Sequence, residues 1–92
     1  MAKVGYAARA VVDLERLEQS APGARTVISS AVAQLAEHPL LGPVVDDETE
    51  LRKLVISRGK TGYIALYRYN GARDEVVVAA VRHQREAGFD DG

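Results

Sequence analysis

The stretch Leu51 to His83, LRKLVISRGKTGYIALYRYNGARDEVVVAAVRH, decides the fold. β-Branched and aromatic residues dominate it, and the apolar period is close to 2, the spacing that lines one face of a strand. Leu51 to Ser57, Gly62 to Tyr69 and Glu75 to His83 are therefore three strand candidates. The segments between them have turn chemistry: Arg58 to Thr61 around Gly59, and Asn70 to Asp74 around an Asn-Gly pair. Connections this short make the sheet mainly antiparallel. In the middle strand Ile64, Leu66 and Arg68 alternate with Tyr63, Ala65, Tyr67 and Tyr69, so both faces carry bulk. Val76 to Val81 is apolar on both faces, which suits a central strand.

Working back toward the N-terminus, the period lengthens to that of a helix. Ala7 to Gln19 is rich in Ala, Leu, Glu and Arg, all good helix formers, and Val11, Leu14 and Leu17 or Glu18 share a face. Ser20 offers an N-cap oxygen and Pro22 suits a first helical turn, so a second helix is expected from there. Ala24, Val27, Ile28, Ala31 and Leu35 recur at three- and four-residue steps and form its core face. His38 precedes Pro39, which pushes it out of helical angles and ends the helix. Lys3 to Tyr6 reads as a short edge strand. Leu40 to Glu50, with Gly42, Pro43 and the acids Asp46, Asp47, Glu48 and Glu50, reads as a solvated loop. The expected fold is α+β: an N-terminal helix hairpin packed on a mainly antiparallel curved β-sheet, with residues 1–92 as one domain.

Size and composition set the remaining bounds. Ninety-two residues suffice for one hydrophobic core and not two. Apolar residues make up 47% and charged residues 27%, the balance of an ordinary globular chain rather than a disordered one. With no cysteine, neither a disulfide nor a thiolate metal site supplements so small a core, and burial against a partner is the obvious remaining source of stability. The net charge of -1 argues against strong, sequence-independent nucleic-acid binding. No run reaches the roughly 18 to 20 apolar residues of a membrane span, and the start lacks the plan of a signal peptide, so the cytoplasm is the expected compartment.

Catalytic motifs are not found. Ser20, Ser29, Ser30 and Ser57 sit in no nucleophile-elbow context, and His38 and His83 are too far apart for a recognisable zinc spacing. Gly59 to Gly62, Gly-Lys-Thr-Gly, lacks the upstream glycine of a phosphate-binding loop and leads into a strand, so it reads as a hairpin loop. The acids at 46–50 lack the alternating ligand spacing of a calcium loop. No catalytic residue, metal or cofactor is expected. The basic residues Arg52, Arg58, Lys60, Arg68, Arg82 and Arg85 all lie in or beside the strands, where a sheet can gather several on one face or rim. Singly, each reads as a surface ion-pair partner worth little; together they form a plausible contact surface.

Three stretches together resemble the ParE branch of the RelE/ParE toxin superfamily: Ala8 to Leu17 (ARAVVDLERL), Glu50 to Tyr69 (ELRKLVISRGKTGYIALYRY) and Val76 to Phe89 (VVVAAVRHQREAGF). His38 to Gly42 (HPLLG) lies between the first two and belongs to the same pattern. The resemblance spans nearly the whole chain and implies a helix hairpin on a curved antiparallel sheet. It also implies a type II toxin of the kind associated with plasmid stabilization, neutralised by a small, ribbon-helix-helix DNA-binding antitoxin and acting on DNA gyrase. Arg58, Lys60, Arg68, Arg82, His83 and Arg85 are the candidate target-contact residues, with His83 alternatively a structural donor and Arg82 a partner for Glu86. The enzymatic alternative is a RelE-like ribosome-dependent mRNA endonuclease. In those enzymes a middle-strand arginine falls near Ile64, and the tail ends in Tyr or His-Tyr where this chain has Gln84, Arg85, Glu86 and, later, Phe89. The family commonly has a basic residue after HPLLG, whereas Pro43 and an acidic loop follow here, which leaves a third alternative: a non-toxic member that only binds its antitoxin.

Overall fold

Five strands form one sheet in the order β1-β5-β4-β3-β2. In the computed structural model, which describes residues 1–85, the chain runs β1 (Lys3–Tyr6), α1 (Ala8–Ser20), α2 (Ala24–Ala33), a 3-10 turn (Gln34–Ala36), β2 (Val44–Asp46), β3 (Leu51–Arg58), β4 (Thr61–Asn70) and β5 (Glu75–His83). The β2-β3, β3-β4 and β4-β5 pairs are antiparallel, and β1 alone pairs in parallel, with β5. That parallel pair requires a long crossover, and α1 through β4 supply it. The expected α+β architecture is the one observed, with β5 interior to the sheet as its two apolar faces require.

Both helices cover one face of the sheet. Leu14, Leu17, Ile28, Val32 and Leu35 meet Leu54, Ile56, Tyr63, Tyr67, Val76, Val78 and Val81 in the main hydrophobic cluster. The α1 stripe is Ala10, Leu14 and Leu17, with Asp13 buried among them, while Val11 is 44% exposed. Thus Val11 does not share the buried face of Leu14 and Leu17, although the spacing put the three on one face. Asp13 occupies the inward position next to it because it has a backbone partner there, described below.

The second helix begins later than Ser20 and Pro22 suggest. Ser20 is the last residue of α1, and Gly23, at φ +95°, is the N-cap of α2. Its missing side-chain cap is replaced from the preceding helix: the Glu18 carboxylate accepts the N–H groups of Gly23 at 3.0 Å and Arg25 at 2.9 Å. These are two of the donors a helix N-terminus leaves unpaired. At the other end, α2 tightens into the 3-10 turn before His38 and Pro39.

The 40–50 stretch is more ordered than a solvated loop. It contains edge strand β2, and the Pro43 carbonyl accepts the Lys53 N–H at 3.1 Å. Gly42 is the anchor: its N–H donates to Tyr67 Oη at 2.8 Å, and its carbonyl accepts from Arg52 Nη1 at 2.7 Å. A Cβ at Gly42 would lie 2.1 Å from the Lys53 carbonyl oxygen. This close approach explains the glycine of the HPLLG motif. In the β4-β5 turn, Asp74 rather than Gly71 holds the left-handed conformation, at φ +50°. Its carboxylate accepts from Tyr69 Oη at 2.7 Å.

One irregularity sorts the side chains of β5. Tyr67 pairs with Val78 and Leu66 with Ala80, leaving Ala79 as an extra residue in β5. Before this bulge Val76 and Val78 point to the helices; after it Val81 does, and Ala80 and Arg82 fall on the opposite face.

Candidate functional site

The β3-β4 hairpin and the end of β5 come together at one end of the sheet. Arg58 pairs with Thr61 across the hairpin, Tyr63 with His83 and Ile64 with Arg82, so Arg58, Lys60, Arg82, His83 and Arg85 converge there. The Gln84 N–H donates to the Gly62 carbonyl at 2.9 Å and continues the pairing past β5. Arg68 is not part of this group. It lies four residues along β4 from Ile64, roughly 13 Å away, opposite Val77, and its Nε donates to the Thr49 carbonyl at 3.1 Å.

The clustered groups have different duties. Arg58 faces the helices, where Nη2 donates to the Pro22 carbonyl at 3.0 Å and Nη1 to Tyr63 Oη at 3.3 Å. It ties the helix-hairpin turn to the sheet. His83 packs edge-on against the Tyr63 ring, with centroids 5.8 Å apart. Its Nδ1 accepts the Arg85 N–H at 3.2 Å, and its Nε2 lies 2.6 Å from Thr61 Oγ1. With Nδ1 accepting, Nε2 carries the proton and donates to the threonine. Lys60 and Arg85 are exposed, and Arg82 is half-buried on the outer face. The suggested Arg82–Glu86 pair and Phe89 lie outside the described residues.

Two features escaped sequence reasoning. Thr61, a turn residue with no obvious role, fixes the His83 ring. Lys53 shares the outer face with Arg82, because β3 and β4 are in register with Lys53 opposite Leu66 and Val55 opposite Ile64. At the far end of the sheet, His38, Pro39, Leu40, Leu41 and Tyr69 line a shallow apolar groove of about 460 Å³. Tyr69 titrates above its ordinary value, chiefly because its hydroxyl donates to Asp74. Among the described residues, no three His, Asp or Glu side chains converge as a metal site, and no helix is long and apolar enough to cross a membrane.

The model of the ParE toxin of the parDE type II toxin-antitoxin system matches residues 4–88. The chain belongs to the ParE toxin family. Among solved structures, this ParE-family chain is similar to the RelBE2 toxin-antitoxin complex of Mycobacterium tuberculosis, at 28% identity and TM-score 0.64 over 89% of this chain and 96% of that one. The E. coli RelE toxin in the free state, in an arginine-substituted form, matches at TM-score 0.69 and 19% identity over 97% of this chain and 90% of that one. The intact E. coli RelBE complex matches at TM-score 0.64 and 17% identity over 89% and 95%. At those last two identities the likeness is one of fold. No curated protein matches the chain by sequence. The chain is the toxin component of a type II toxin-antitoxin system.

Proposed function

We propose that this ParE-family toxin acts by binding DNA gyrase, as a protein-protein inhibitor rather than an enzyme, and that a cognate antitoxin with a DNA-binding ribbon-helix-helix part neutralises it in the cytoplasm. The observation that carries this reading is Ile64. It is fully buried and sits directly across from Arg82, at the middle-strand position where the nuclease branch of the superfamily places an arginine. Cleavage of a phosphodiester needs a proton-transfer group and cations against the developing charge. Here the middle strand offers an apolar side chain at that point. The nearby tyrosine hydroxyls are engaged elsewhere: Tyr63 Oη with Arg58, and Tyr67 Oη with Gly42. Exposed Lys60 and Arg85, beside Arg82, suit a protein contact surface instead.

The test is a supercoiling assay with purified gyrase alongside mRNA incubation with purified ribosomes. Inhibition of supercoiling, weakened by Lys60→Glu and Arg85→Glu, is the expected result. Cleavage of ribosome-bound mRNA with gyrase untouched would overturn the proposal in favour of the nuclease. Inactivity in both assays, with a stable antitoxin complex, would assign the chain to the non-toxic alternative.

A further inference from the structure

The turn of the β3-β4 hairpin and the end of β5 meet through one side chain. Thr61 closes the hairpin opposite Arg58, and His83 ends β5 opposite Tyr63. Residues two apart on a strand share a face, so Thr61 lies on the same side of β4 as Tyr63, diagonally across from His83. An aromatic ring reaches that far. The imidazole spans the diagonal: Nε2 donates to Thr61 Oγ1 at 2.6 Å, and Nδ1 accepts the Arg85 N–H at 3.2 Å. One ring therefore joins the turn that carries Lys60 to the backbone that carries Arg85.

The ring is itself held. It packs against Tyr63, which is 2% exposed and whose hydroxyl accepts from Arg58, and that guanidinium reaches on to the Pro22 carbonyl. A chain of contacts thus runs from the helix-hairpin turn through Arg58, Tyr63 and His83 to Thr61 and Arg85. Electrostatics works in the opposite sense. Arg58, Lys60, Arg82 and Arg85 gather at this end of the sheet, while residues 51–70 and 76–85 contain no carboxylate. Like charges repel, and Lys60 and Arg85 stand exposed on two separate segments. The last rung of backbone pairing among the described residues is the Gln84 N–H on the Gly62 carbonyl, so both cations lie just past the ladder.

We infer that Thr61 is a positioning residue of the toxin: through His83 it clasps the β3-β4 turn to the end of β5, so that Lys60 and Arg85 meet the target as one preset pair. The inference rests on the reading of this rim as the target contact and adds the device that shapes it. Groups already ordered lose less conformational entropy on binding than groups the partner must order. Two long cationic side chains on separate, mutually repelling segments gain most from such a fixture. Thr61 acts from behind them, through the ring, without touching the target.

The experiment measures gyrase supercoiling inhibition, and growth arrest on induction without antitoxin, for the full chain and for Thr61→Val, Thr61→Ser, His83→Asn and the double variant Thr61→Val/His83→Asn, with a thermal melt of each. His83→Asn keeps an acceptor near the Nδ1 position and lacks the reach to Thr61. Thr61→Val and His83→Asn are each expected to weaken inhibition about tenfold at near-parental melting temperature, the scale of ordering two long side chains. The double variant should lose no more than either single one, because both break the same clasp. Thr61→Ser, which keeps the oxygen, restores inhibition. Nitrogen NMR of the parent should find the His83 proton on Nε2; a proton on Nδ1 would overturn the inference, since the Arg85 N–H would then have no acceptor there. Parental potency in Thr61→Val overturns it as well. So do additive losses in the double variant, which would make the residues independent contacts, and losses that follow falling melting temperatures, which would make the clasp a matter of stability. A parent that arrests growth while leaving supercoiling untouched overturns the gyrase reading, and the same variants then judge the clasp by growth arrest. A parent inert in both assays overturns both.

Discussion

Asp13 Oδ2 accepts the backbone N–H of Val81 at 2.9 Å, a bond spanning 68 residues of chain and buried under α1. Strand β1 pairs with β5 only as far as Val78, where the chain turns away into α1. Beyond that point the helix supplies the acceptor that a longer β1 would have supplied. Arg9 Nε holds the other carboxylate oxygen at 3.2 Å. Asp13→Ala leaves a buried donor unpaired and is expected to destabilise the fold by about 2 kcal/mol, with Asp13→Asn losing less because one acceptor remains. Urea denaturation checks both, and equal stability of Asp13→Ala and parent would contradict the assigned role.

Gly42 is expected to be intolerant of any side chain. Its Cβ would meet the Lys53 carbonyl in strand β3, which cannot retreat without breaking its pairing with β4. Gly42→Ala should cost about 3 kcal/mol, at the upper end of overpacking changes. Tyr67→Phe removes only the acceptor of the Gly42 N–H and should cost about 1–3 kcal/mol. Denaturant midpoints measure the two separately.

The Glu18 cap predicts a pH dependence. Accepting the Gly23 and Arg25 N–H groups holds this carboxyl below its ordinary value of 4.5, with partial burial opposing. A carboxylate whose folded-state pKa is lowered stabilises the fold above the unfolded value, and that stability disappears as pH falls through the folded one. Thermal melts of parent and Glu18→Gln should therefore differ most near neutral pH and converge on acidification below 4.5. A gap that widened in acid would refute the assignment.

Arg58 and Lys60 are two residues apart and should separate cleanly. Arg58→Ala removes donors to Pro22 and Tyr63 and is expected to cost about 1 kcal/mol of stability. Lys60→Ala, at an exposed turn, should change stability by less than about 0.5 kcal/mol. If the rim contacts the target, Lys60→Ala lowers toxicity at unchanged stability, as read from growth after induction without antitoxin.

Strands β3, β4 and β5 were legible because alternation and turn chemistry act within a few residues. The same holds for the helix stop before Pro39. Positions decided by distant partners were not. Asp13 is polar, and helical periodicity sends polar residues to solvent; only the unpaired N–H of Val81 brings it inside. Ser20 has the chemistry of an N-cap, yet Glu18 reaches over the turn and performs that task. Strand β2 hides in an acidic stretch because edge pairing to Arg52 and Leu51 does not need a long apolar run. For the candidate site, residue types placed the cations near the strands, but their division between faces depends on register, and so Arg68 parted from the group.

The extra residue at Ala79 acts as a frame shift in three dimensions. Upstream of it, odd-numbered residues of β5 face away from the helices; downstream, even-numbered ones do. Flattened into regular alternation with Ala79 retained, the strand would turn the Arg82 guanidinium into the apolar interior and swing Val81 and the His83 ring to the outside. The bulge at one small, chemically silent alanine thus determines on which side of the molecule this strand displays its charge. The surface facing any partner is governed as much by where β5 bulges as by which residues it holds.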